Sequence, residues 1–136
     1  MEPQPESIPR RNERILIVDD NEPVVTLARF MLEDLGYKVT GFTDGQEALK
    51  VFCENPSEFD LVITDYVMPH LTGKDIAEKM IHIRSDIPII LCTAYSDLIS
   101  SEKAMAMGFR ELILKPFNYR EISELMRRVL DQKDKP

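Results

Sequence analysis

The chain has 136 residues, 43% hydrophobic and 30% charged, which suits a single globular domain with one core and excludes a fibrous or low-complexity protein. Its 24 acidic and 17 basic side chains leave a formal net charge of −7, which argues against nucleic acid as a direct partner, because a phosphate backbone is bound by a basic surface. No apolar run approaches the ~20 residues of a membrane span, and the first residues lack the apolar core of a signal peptide, so no membrane association and a cytoplasmic location are expected.

Residues 1–12 contain Pro3, Pro5 and Pro9 and little that can be buried, so they read as a flexible tail or linker. Arg10, Arg11 and Arg14 suit a solvated tail better than an anion site. The folded domain is expected over residues 13–131, with a polar tail over 132–136. Arg14–Val18 is the first strand, Arg-Ile-Leu-Ile-Val, and it runs into Asp19-Asp20. Asn21 and Pro23 favour a helix start. Val24, Leu27, Met31 and Leu35 then recur at helical spacing as its expected buried stripe, and Gly36 stops it. Residues 37–42, with Lys38 and Thr40 between apolar neighbours, read as an edge strand. Asp44 with Glu47 has the form of a capping box for a second helix.

Residues 59–64 are the third strand and end on Asp65. Thr72 can cap a third helix carrying Ile76, Met80 and Ile83. Residues 87–92 are the fourth strand, followed by Thr93. Residues 97–107 form a weaker helical pattern, with Ser100 and Ser101 inside it and a thin apolar stripe, so a marginal, mobile helix is expected. Residues 111–114 are the fifth strand, followed by Lys115. Asn118 with Glu121 has the form of a capping box for the last helix, whose stripe is Ile122, Leu125 and Val129. Met80, Met105, Met107 and Met126 read as packing residues, although Met105 and Met107 lie on the weak helix. His70 and His82 read as surface residues. Cys53 and Cys92 read as reduced thiols, Cys92 inside a buried strand.

Most of the strand-like runs are apolar without alternation, as expected for strands covered on both faces. Five strand–helix units joined by right-handed crossovers give an α/β domain: a five-stranded parallel sheet, order 2-1-3-4-5, flavodoxin-like, with helices on both faces. In such sheets ligands bind beyond the carboxyl ends of the strands, where the winding reverses. Asp19-Asp20, Asp65, Thr93 and Lys115 all fall at such ends and converge on one pocket. Three carboxylates there repel, so at least one pKa should rise unless a cation neutralises them. A hard divalent ion answers this, and Mg²⁺ accepts few carboxylates alongside water and phosphate oxygens. With Lys115 and the Thr93 hydroxyl, the pocket suits a phosphoryl group attached to one carboxylate.

The order Val18-Asp19-Asp20, Thr64-Asp65-Tyr66-Val67-Met68-Pro69, Thr93-Ala94 and Lys115-Pro116-Phe117 resembles response-regulator receiver domains over residues 14–130. The resemblance implies that Asp65 is the phospho-acceptor and Asp20 a direct Mg²⁺ ligand, with Asp19 supporting through water. It implies that the backbone carbonyl of Val67 completes the metal site, that Thr93 binds phosphoryl oxygens and that Lys115 pairs with the phosphate. It also implies a cis Lys115–Pro116 bond and a turn glycine at Gly73. Implied partners are a histidine kinase or histidine phosphotransfer protein and a downstream protein target, with a monomer or weak homodimer as the assembly. No independent enzymatic turnover is implied. The chain suits a stand-alone regulator or the receiver of a larger protein such as a hybrid kinase, with the proline-containing start favouring the second.

One position departs from the family. Many members carry Tyr or Phe three residues before the lysine, where this chain has Leu112. Coupling from Thr93 to the output face then takes another route, for which Tyr95 is a candidate. Val67 and Tyr95 occupy positions that tune phosphoryl lifetime in the family. Two other classes fit less well. A Mg²⁺-dependent phosphatase with an Asp nucleophile usually places a second Asp two residues on, a spacing that residues 19–23 lack. A flavin phosphate cradle needs Gly, Ser or Thr with free amides, whereas residues 19–23 are acidic.

Overall fold

A computed structural model describes residues 12–94 and 99–133. Strands β1 (Arg14–Val18), β2 (Lys38–Phe42), β3 (Leu61–Thr64), β4 (Ile89–Ala94) and β5 (Glu111–Lys115) alternate with helices α1 (Glu22–Asp34), α2 (Gly45–Glu54), α3 (Gly73–Ile83), α4 (Ser101–Ala106) and α5 (Tyr119–Lys133). The sheet is parallel throughout with order β2-β1-β3-β4-β5, as the strand–helix alternation predicts. The 1–12 and 132–136 tails lie mostly outside the described residues, as does Tyr95.

The core has two halves, one on each face of the sheet, because β1, β3 and β4 are apolar at successive positions and feed both faces. Ile15, Ile17, Ile63, Ile90 and Cys92 pack with α1 and α5 through Leu32, Ile122 and Leu125. Leu16, Val18, Val62, Ile89 and Leu91 pack with α2, α3 and α4 through Phe52, Ile76 and Ala104. In β2 only Val39 is buried, as its polar edge pattern anticipates. The α3 cap is a complete box between Thr72 and Asp75. Asn118 and Glu121 also exchange both bonds, at 2.8 and 2.9 Å. Asp44 caps α2 by accepting from the Gln46 N–H at 2.9 Å.

Four local expectations need correction. The buried stripe of α1 is Val25, Ala28 and Leu32, one residue away from the predicted set, and Leu27 is 51% exposed. That helix has apolar residues on several sides, so helical spacing alone fits either stripe. In α3, Ala77 takes the buried place expected for Ile83, which is exposed. β4 begins at Ile89 rather than 87, since Pro88 has no N–H for the ladder, and it extends to Ala94. Ser100 is not inside α4: its hydroxyl accepts from the Lys103 N–H at 3.0 Å, so it is the cap of a six-residue helix.

Candidate functional site

The strand ends hold the site by continuing the sheet's hydrogen bonding past each last residue. The Asp19 N–H donates to the Phe42 carbonyl at 3.1 Å, and the Asp65 N–H donates to the Val18 carbonyl at 3.0 Å. Both aspartates therefore leave the sheet as fixed extensions of β1 and β3. Both are buried, with Asp19 2% and Asp65 6% exposed, whereas Asp20 faces solvent. The Asp19 carboxylate accepts from the Asn21 N–H at 2.9 Å, and that of Asp65 accepts from the Tyr66 N–H at 2.8 Å. The Thr64 hydroxyl donates to the Asp65 carbonyl at 2.9 Å.

Helix α3 is pressed against this turn. The Gly73 N–H donates to the Tyr66 carbonyl at 2.8 Å. A Cβ at Gly73 would lie 2.3 Å from the Asp65 carbonyl oxygen, so only glycine allows the approach. That is the physical reason for the turn glycine. His70, in the same loop, has φ +73, the left-handed region that non-glycine residues rarely adopt, and it is exposed.

Lys115 reaches across from the end of β5. Its Nζ lies 2.9 Å from Asp19 Oδ2 and 3.4 Å from Asp65 Oδ1, so one ammonium group bridges two carboxylates from different strands. The Lys115–Pro116 bond is cis, as the resemblance implies. Burial works against the Lys115 charge, but the Asp19 hydrogen bond and the two aspartate charges outweigh it and raise its pKa. The Asp65 carboxyl is pushed up from 3.8 to about 6, first by burial and then by the Asp19 charge, with Lys115 only partly compensating. The expected carboxylate repulsion is thus present and falls on Asp65.

Thr93 is fully buried in β4, two residues beyond Leu91, the register partner of Thr64. It therefore stands level with the segment that leaves β3 at Asp65 and Tyr66. Val67 follows in the same loop with its side chain exposed. Asp19, Asp20 and Asp65 each offer a carboxylate oxygen, and these atoms lie within 4.8 Å of one another. An all-oxygen set with surplus negative charge, open on the Asp20 side, fits a hard divalent cation such as Mg²⁺. Cys92, beside this cluster, has its thiol pushed up to about 12 by burial, so it is no nucleophile.

Sequence reasoning missed an apolar surface on α1. Leu27 is 51% and Phe30 69% exposed, and with Glu22, Pro23 and Thr26 they line a shallow groove of about 560 Å³. Its only signal was a surplus of apolar residues around the helix. Among the described residues, no helix is long and apolar enough to cross a membrane.

The sequence matches the family model described as "Response regulator receiver domain" over residues 15–127. It is 39% identical over 108 residues to the response regulator SaeR of Staphylococcus epidermidis, covering 79% of this chain and 46% of that protein. It is 33% identical over 120 residues to the alkaline phosphatase synthesis transcriptional regulatory protein PhoP of Bacillus subtilis, covering 88% of this chain and 49% of that protein. The chain spans about half the length of the curated relatives it matches. A response regulator receiver domain protein from Clostridium thermocellum superposes with a TM-score of 0.83 at 31% identity, covering 89% of this chain and 96% of that one. The response regulator TrrA from Thermotoga maritima, solved in complex with Mg²⁺ and beryllofluoride, gives 0.77 at 36% identity, covering 87% and 99%. With its sheet order, its acidic pocket and a family match over most of its length, this chain belongs to the response regulator receiver domains of two-component signalling.

Proposed function

We propose that this receiver takes a phosphoryl group from a phosphohistidine onto Asp65. The observation that carries the reading is the Lys115 ammonium group bridging Asp19 and Asp65 beside a third carboxylate at the ends of three strands. An oxygen of the Asp65 carboxylate attacks phosphorus. The O–P bond forms as the N–P bond breaks, and the imidazole nitrogen keeps the electron pair of the broken bond. The product is an acyl phosphate on Asp65. A pKa of about 6 leaves Asp65 mainly ionised, and so nucleophilic, at neutral pH.

Asp20, Asp65 and the Val67 carbonyl would hold Mg²⁺, with Asp19 supporting through water. When bound, Mg²⁺ supplies positive charge against the carboxylates and the phosphoryl oxygens. Lys115, already 3.4 Å from Asp65, pairs with the transferred group, and the Thr93 hydroxyl donates to one of its oxygens. The added charge shifts a two-state equilibrium that a downstream protein reads. No independent enzymatic turnover is needed beyond transfer and loss of the group.

The donor is a histidine kinase or histidine phosphotransfer protein. It must cover the mouth of the pocket, and α1, which starts two residues beyond Asp20, carries the exposed Leu27 and Phe30. The domain comprises residues 13–131 with tails on either side, cytoplasmic, as a monomer or weak homodimer. The negative charge keeps this domain itself off nucleic acid. Some of the relatives are named transcriptional regulators, and the match covers about half of their length. The test is intact mass after incubation with acetyl phosphate and Mg²⁺. A gain of one phosphoryl group, absent with EDTA and in Asp65→Asn, supports the reading. Labelling that persists in Asp65→Asn overturns it.

A further inference from the structure

We propose that the segment of this chain ahead of β1 docks on the exposed side of α1, with Ile8 and Pro9 on Phe30 and Leu27, and Arg10 and Arg11 on the acidic end of the helix. Residues 1–11 lie outside the described residues, and what is described is the surface beside the point where they join the fold. Helix α1 turns Val25, Ala28 and Leu32 into the core. Its opposite side carries a continuous stripe, because residues three and four apart are neighbours on a helix. Pro23, Leu27 and Phe30 are the apolar part of the stripe, and Asp34 continues it at the C-terminal end with Glu33 alongside. Leu27 is 51% and Phe30 69% exposed.

The acidic end of the stripe lacks positive charge. The last turn of α1 holds no basic residue, and the cation of the preceding turn, Arg29, is already paired with Glu33 at 3.2 Å. The helix dipole adds partial negative charge at the same end, where cations are favoured. The segment joins the fold there. The Glu13 carbonyl accepts from the Lys38 N–H at 3.0 Å, and Lys38 follows Asp34 across the turn at Gly36. The residues ahead of Glu13 therefore start beside the C-terminal turn of α1.

The order of chemistry then matches. Read back from Glu13, the segment offers Arg11 and Arg10, then Pro9 and Ile8. Read back from Asp34, the helix offers acids, then Phe30 and Leu27. The lengths match as well. Extended chain from Glu13 to Ile8 spans about 16 Å, and Phe30 lies about 6 Å up the helix from Asp34. Pro9 restricts Ile8 to extended backbone, so less freedom is lost on docking, as for other proline-bearing segments that bind aromatic-lined grooves. Docked in this way, the segment covers Leu27 and Phe30 and closes that face to other partners. A protein phosphodonor that approaches past α1 must displace it, whereas a small phosphodonor need not. This consequence alone rests on the function proposed above.

The test is NMR on the full chain at low and high concentration, with no phosphodonor, so its outcome is independent of the Asp65 assignment. Contacts between the Ile8 methyls and the Phe30 ring are expected at both concentrations. Ile8→Ser should reduce the docked population by about tenfold, the effect of an Ile side chain partly removed from water, and should shift the Leu27 methyl and Phe30 ring signals. Arg10→Glu with Arg11→Glu should weaken the contacts, and adding Glu33→Lys with Asp34→Lys should restore them. All these changes lie outside the core, so the fold is retained. Wild type without contacts between Ile8 and Phe30 overturns the proposal. So do contacts that vanish on dilution, which assign the groove to a second copy of the chain, and contacts that the arginine reversal leaves unchanged.

Discussion

Asp65→Asn should stabilise the metal-free protein at neutral pH, although it removes the proposed phospho-acceptor. The ionised carboxyl is buried beside Asp19, and its rise from 3.8 to about 6 corresponds to roughly 3 kcal/mol of destabilisation once both folded and unfolded chains are ionised. Asparagine keeps a carbonyl for the Tyr66 N–H and loses the 3.4 Å contact with Lys115, which retains its 2.9 Å partner Asp19. The rise to about 6 already includes the Lys115 contact, so the gain is at most about 3 kcal/mol, or roughly 2 M in urea midpoint at a slope near 1.5 kcal/mol/M. The pH dependence has a definite sign. Below about pH 4 Asp65 is protonated in both folded and unfolded chains, and wild type and variant should match. Between about 4 and 6 the folded wild type holds a proton that the unfolded chain has released, so its stability relative to the variant falls as pH rises. Above about pH 6 the difference should be constant. Urea unfolding in EDTA from pH 4 to 8 checks this. A variant less stable than wild type at pH 7.5, or a difference flat across the range, would refute the reasoning.

Three further outcomes are expected. Gly73→Ala places a Cβ 2.3 Å from the Asp65 carbonyl oxygen, which is backbone and cannot swing away, so urea unfolding should show a loss of about 2–3 kcal/mol and acetyl phosphate labelling should slow. Lys115→Met keeps the stem but leaves Asp19 and Asp65 facing each other, so it should cost about 1–3 kcal/mol without metal, less than for a fully buried pair because Lys115 is 18% exposed. Its thermal midpoint should rise more on Mg²⁺ addition than that of wild type. Cys53 is exposed and Cys92 buried with its thiol pushed up to about 12, so a thiol reagent should take one equivalent natively and a second only after unfolding.

The sheet and the pocket were legible in the sequence for one reason. Four of the five strand-like runs lead into a polar residue of the pocket, so finding Asp19, Asp65 and Lys115 also located the ends of β1, β3 and β5. Parallel topology then brought those ends together with no knowledge of side-chain contacts. Boundaries and faces were less legible. Whether α1 buries Val24 and Leu27 or Val25, Ala28 and Leu32 depends on how the helix is rolled against β1 and α5, and both sets satisfy helical spacing. Ser100 could stand inside α4 or cap it until the start of the helix was known, because serine suits a cap far better than a helix interior.

The central claim is that Asp65 carries the phosphoryl group. Borohydride reduces an acyl phosphate to an alcohol, so after treatment with acetyl phosphate and Mg²⁺ a phosphorylated aspartate is converted to homoserine at its own position. Peptide mass mapping of the reduced protein should find homoserine at position 65, and at no other acidic residue, with none when EDTA replaces Mg²⁺. Homoserine at position 19 or 20 instead, or equal conversion without the metal, would contradict the assignment.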